Sequence, residues 1–166
     1  MYKNIFVLCV ALFVSGCSTA PFKSPIERYE NAVLKAQEKN SPLVVLSAYT
    51  GYPNSVGGVD LTVRTLATSK KNIKYIVFDV TGYNRVGDKV AGEVRRKYSR
   101  SVQITGPIAY GASDTYKWGA LWYDSTLSCA HINSASVTFM DGSSKIYTSN
   151  FIQDLMLGPY KNTCGR

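Results

Sequence analysis

The chain has 166 residues, 45% hydrophobic and only 18% charged, with a formal net charge of +8. That length suits one domain behind a short leader, and the apolar share excludes a globally disordered chain. The basic balance favours anionic partners, although an excess of this size is also common on ordinary soluble surfaces.

The first element is a leader. Lys3 precedes an unbroken apolar run from Ile5 to Val14. A bilayer-spanning helix needs roughly 20 apolar residues, so this shorter run fits the hydrophobic region of an export signal. It ends in Val14-Ser15-Gly16-Cys17 rather than an A-x-A-like cleavage site. The stretch VSGC resembles the lipobox of bacterial lipoproteins, in which an apolar residue and two small residues precede a cysteine. The resemblance implies that residues 1–16 are a removed signal peptide and that Cys17 becomes the first mature residue. Its thiol would carry diacylglycerol, and its amine a fatty acyl group such as palmitate. Each buried methylene contributes about 0.8 kcal/mol, and two or more chains give stable anchoring. Ser18, which is not Asp, points by the same analogy to the outer membrane. The domain would then face the periplasm or, alternatively, the cell surface. The competing reading is a plain signal peptide or signal anchor in which Cys17 is an incidental thiol.

Cys9 leaves with the leader and Cys17 carries lipid, so the mature domain keeps Cys129 and Cys164. In an oxidising compartment these two are expected to pair. Chain-entropy models put such a closure at roughly 3–4 kcal/mol. Two free thiols are the alternative. A zinc site would need more ligands than two cysteines and the lone His131, so neither metal nor cofactor is expected.

Residues 17–23 read as a tether and 24–40 as a helix. Ser24, Pro25 and Glu27 form a capping-box start. Ile26, Tyr29, Val33 and Ala36 recur at helical spacing, and Asn40 and Pro42 stop the element. The helix is either a stalk or packed on the sheet by its apolar stripe. From Pro42 to Arg166 the pattern is β. Strands are expected at 42–49, 59–67, 73–84, 89–98, 101–107, 115–124, 130–140 and 144–149, followed by a helical turn and a tail held by Cys164. About seven or eight short strands at even spacing, with no helices between them, signal an antiparallel sandwich, all-β and immunoglobulin-like or fibronectin-like. No internal repeat stands out.

The body also carries PNSVGGVDL (53–61), KNIKYIVFDVTGYNRVGD (71–88), ITGP (104–107) and FMDGS (139–143). On these it resembles a set of uncharacterised bacterial secreted and lipoprotein domains. That resemblance implies a compact β-sandwich module and no particular chemistry.

No catalytic set emerges. His131 is the only histidine, no G-x-S-x-G turn surrounds a serine, and the 11 acidic residues are scattered. Two stretches remain as binding candidates. The first is basic: Arg85, Lys89, Arg95, Arg96, Lys97 and Arg100, against Asp88 and Glu93. As a strand it would place Lys89, Glu93, Arg95 and Lys97 opposite Val90 and Val94, giving either an anion-facing surface or a solvated edge that blocks aggregation. The second is aromatic: Tyr116, Trp118 and Trp122 on one strand face, forming either core or an exposed platform for a sugar or a protein. Together these features describe a lipid-anchored envelope protein acting as a non-enzymatic binding or structural module. Its expected partners are the membrane, through the anchor, and an envelope protein or peptidoglycan, but not nucleic acid. The alternative is an inhibitor or exclusion factor against an incoming enzyme or phage.

Overall fold

The computed structural model describes residues 24–94, 96–157 and Cys164. The leader, the tether with Cys17, Arg95 and most of the tail lie outside the described residues.

Helix α1 (Pro25–Glu38) begins as the sequence predicts. The Ser24 N–H donates to Glu27 Oε2 at 2.7 Å, and the Glu27 N–H donates to Ser24 Oγ at 3.1 Å. Two donors at the helix start are thereby satisfied reciprocally. At the far end Asn40 takes a left-handed conformation (φ 50°). The N–H groups of Asn40 and Ser41 return to the carbonyls of Gln37 and Ala36, a Schellman closure. The helix packs on the sheet rather than standing as a stalk. Half of the expected stripe is on that face, Ala36 fully buried and Val33 packed at the margin. Ala32 and Ala36 pack against Val44, Leu46, Leu66 and Leu155, whereas Ile26 and Tyr29 are exposed. Small residues let the helix approach closely, so the alanines rather than the larger side chains set the contact face.

Eight strands follow: β1 (Leu43–Thr50), β2 (Gly58–Ala67), β3 (Ile73–Asn84), β4 (Lys89–Val90), β5 (Ser99–Ile108), β6 (Ser113–Tyr123), β7 (Leu127–Phe139) and β8 (Ser144–Thr148). All pairings are antiparallel. One sheet is β1-β2-β6; the other runs β4-β3-β7-β8, with β5 also on β3. Because β7 occupies one side of β3 along its whole length, β4 and β5 share the other side, one after the other. The fold is thus an antiparallel, fibronectin-like sandwich. Ile76, Phe78 and Val80 alternate inward from β3 and meet Val59, Leu61 and Val63 of β2 across the core.

Helix α2 (Ser149–Leu155) closes the open side between edge strands β1 and β8. Ile152 enters the main core and Leu155 the cluster under α1. Asp154 ties the two helices by accepting from Lys35 at 2.9 Å and also from Lys39. The two ammonium groups, Lys39 first, lower its pKa to about 2. Among the described residues, the buried members of both core clusters lie between Ala32 and Met156.

Candidate functional site

The basic stretch is not one strand. After β4 the chain turns at Gly92 (φ 67°), and the Glu93 N–H donates to the Tyr123 carbonyl of β6. The segment therefore leaves the edge of one sheet and crosses to the other, and the expected alternation fails: Val90 is buried while Val94 is 69% exposed. Arg96 and Lys97 are solvent-exposed on this excursion, and Arg85 and Lys89 are exposed before it, in the β3–β4 turn and on β4, flanked by exposed Asp88 and Glu93. Arg100 does not belong to that surface. It is only 6% exposed, and its guanidinium donates to the carbonyls of Leu121, Ala91 and Ser99 at 3.4, 3.2 and 3.3 Å. A planar group with five donors suits a strut between three backbone segments.

Tyr116, Trp118 and Trp122 do share a face, but it is the inner one. They pair with Val63, Leu61 and Val59 of β2. Trp122 is 0% exposed, and Tyr116 and Trp118 are half-buried and stacked at 6.4 Å. No exposed platform of three rings forms. A bulge between the two tryptophans sets Ala120 at φ 48°. Asp60 holds it by accepting from the Ala120 N–H at 2.8 Å and from Lys117 Nζ at 2.7 Å, which together depress the Asp60 carboxyl, Lys117 most.

A further surface is built from the loops of PNSVGGVDL and TGYNRVGD, two of the stretches that carry the resemblance. At one end of the sandwich lie the β1–β2, β3–β4 and β6–β7 loops. The pattern N-x-V-G recurs in the first two, Asn54-Ser55-Val56-Gly57 and Asn84-Arg85-Val86-Gly87. Its hydrogen bonds recur too. Asn54 Oδ1 accepts from the N–H groups of Val56 and Gly58, and Asn84 Oδ1 from those of Val86 and Asp88. In each loop the Asn N–H reaches the carbonyl four residues on, and the Gly N–H returns to the Asn carbonyl. Each glycine adopts positive φ, 78° and 87°, which is why glycine stands there. Each turn lifts a valine into solvent, Val56 at 70% and Val86 at 81% exposed, beside Tyr52 at 95%. Between the loops is a cleft of about 660 Å³, lined by Thr50, Tyr52, Arg85, Val86, Thr126 and Ser128 among others. The signal in the sequence was the repeated N-x-V-G, which is too short to register as an internal repeat.

His131 sits on β7, and its Nε2 is 2.6 Å from Ser149 Oγ. Burial lowers its pKa. Above about pH 6.5 the ring is neutral in both folded and unfolded chains. As pH falls through that value the unfolded chain takes the proton first, so stability declines with acidity until the folded pKa is passed. A thermal melt is expected to fall between neutral pH and pH 5, and His131→Asn should shrink that fall. An unchanged pH dependence in the variant would overturn the assignment to His131. Among the described residues no group of three or more His, Cys, Asp or Glu is placed to hold a metal. Cys129 and Cys164 stand at disulfide distance, Cα to Cα 5.2 Å, tying the tail to β7 as expected. No helix of the described residues is long and apolar enough to cross a membrane.

Comparison with known proteins finds no matching family model, curated protein or solved structure. The fold and surface define the class: an all-β antiparallel sandwich that presents a built loop end and a basic excursion.

Proposed function

We propose that this chain is a lipid-anchored protein of the bacterial cell envelope. Its sandwich acts as a non-enzymatic binding module that contacts an anionic surface, either the cell wall or the membrane. The anchor rests on the VSGC stretch, with Cys17 as the acylated residue and Ser18 favouring the outer membrane. The binding reading is supported above all by the basic excursion. Arg85, Lys89, Arg96 and Lys97 stand exposed between the end of β3 and the start of β5, against only Asp88 and Glu93 among the described residues. Charge gathered in this way raises the local concentration of anionic partners.

The anchor is tested in the native host by labelling with radioactive palmitate. The chain should take up label and sediment with membranes, and Cys17→Ser should lose the label. A variant that is still labelled would remove Cys17 from this role. The contact is tested by retention of the acyl-free domain on isolated envelopes at low and high salt. Retention lost at high salt is expected, and no retention at either salt would sink the anionic-surface reading.

A further inference from the structure

We infer that the loop end is a docking surface for an anionic phospholipid bilayer, with Tyr52, Val56 and Val86 entering the interface while Arg85 and the hydroxyls between the loops meet lipid phosphates. The inference rests on the membrane-surface branch of the proposed function and names the part of the domain that makes the contact.

Singly scattered exposed apolar residues are normal. These three are not scattered in that sense. Two sit on turns with the same N-x-V-G pattern and the same hydrogen bonds, so their exposure is built into the backbone. Rigid turns also remove most of the ordering cost of binding. Tyr52, 95% exposed, lines the same cleft as Val86.

The distribution of polarity identifies the occupant. A groove for a protein segment is apolar at its floor and polar at its rim. Here the most exposed side chains are themselves apolar, Tyr52, Val56 and Val86 at the loop apices, while the hydroxyls of Thr50, Ser125, Thr126 and Ser128 line the cleft below them together with buried Leu127. Arg85 directly precedes Val86, and Lys89 follows on β4. A bilayer interface has the matching order. Apolar groups reach roughly 5–10 Å to the acyl boundary, tyrosine rings favour the headgroup level, and cations pair with phosphates above them. Each basic residue near an anionic leaflet contributes about 1 kcal/mol, or about fivefold in binding.

The test uses the chain from Ser18 onward, which retains both core clusters and carries no acyl group. It is sedimented with vesicles of phosphatidylcholine alone and of phosphatidylcholine mixed with phosphatidylglycerol, with and without inorganic phosphate as competitor. Binding to the mixed vesicles is expected to exceed that to phosphatidylcholine alone and to persist in phosphate. The double variant Val56→Asp, Val86→Asp should weaken it roughly tenfold or more, and Arg85→Glu about fivefold or more. Thermal melts of these variants should match the parent, since the altered side chains touch solvent. Full binding by the double variant, equal binding to both vesicle types, displacement by phosphate, or no vesicle binding would each overturn the inference. Because the protein tested carries no lipid, failure here leaves the Cys17 anchor and the cell-wall contact standing. A failed palmitate label, by contrast, removes the anchor and leaves this surface untouched.

Discussion

Replacing Trp122 with alanine is expected to destabilise the domain by about 3–5 kcal/mol. Trp122 has no exposed surface. It lies opposite Val59 in the β2–β6 pair and against the backbone of β3 at Gly82, where an added Cβ would stand 3.1 Å from the indole Nε1. Gly82 therefore makes room for the Leu127 side chain, which a Cβ would meet first, and for the ring. The indole N–H has no hydrogen-bond partner among the described residues. Truncation thus loses no hydrogen bond, and the cost is lost contact plus the cavity left between the sheets. Trp122→Phe should cost much less, because most of the apolar volume stays. Trp118→Ala, at the half-buried margin of the same face, should cost less than half as much as Trp122→Ala. Urea unfolding of the acyl-free domain reads all three. Equal losses at positions 118 and 122 would show that the two rings share one environment, contrary to their burial.

That pair of tryptophans marks how far the fold could be read from the chain alone. The capping box at Ser24, the stop at Asn40, and strands β1, β2 and β3 were legible to within a residue or two, because each rests on local chemistry: a cap, a turn residue or an alternation. The shared face of Tyr116, Trp118 and Trp122 was legible as well. Its direction was not, because inward and outward differ only in what lies opposite. The β4 region failed for a related reason. Val90, Gly92 and Val94 alternate as a strand would, but Gly92 turns the chain across to β6, and only tertiary hydrogen bonding reveals the crossing. Asn133 is a subtler case. Buried residues on β7 fall at 130 and 132 and then at 135 and 137, a parity change made by a bulge opposite Asp79 and Val80. The Asn133 side chain fills the bulge by donating to Asp79 Oδ2 and Thr81 Oγ1. Alternation statistics average over such a step and see a weaker strand. The loop end stayed hidden because its signal lies in two turns far apart in sequence, which become neighbours only when the sheets close.

Arg100→Ala is expected to cost about 2–4 kcal/mol, although composition alone would count this residue with the surface cations. Its guanidinium joins three segments that no shared ladder connects: β5 through Ser99, the crossing segment through Ala91, and β6 through Leu121. Removing it strands three carbonyls. A buried unsatisfied group costs about 1–3 kcal/mol. A neighbouring cavity of about 280 Å³, lined by Val94, Leu121 and Tyr123 among others, lets water reach some of them, which keeps the sum below the upper limit. Arg100→Lys should recover only part of the loss. One ammonium keeps the charge but cannot span three divergent acceptors with a rigid fork. The exposed neighbour Lys89, changed to alanine, should shift stability by no more than about 0.5 kcal/mol. Hydrogen exchange separates this strut from a general packing role. In Arg100→Ala the amides of residues 91–98 should lose protection before those of β3 and β7, because the crossing segment is held from below by this one side chain and from the side by the Glu93–Tyr123 bond. If Arg100→Ala behaves like Lys89→Ala in both stability and exchange, the strut is refuted and Arg100 returns to the anion-facing set. If it behaves as expected, the crossing segment is fixed before any ligand arrives, and Arg96 and Lys97 ride on a rigid support.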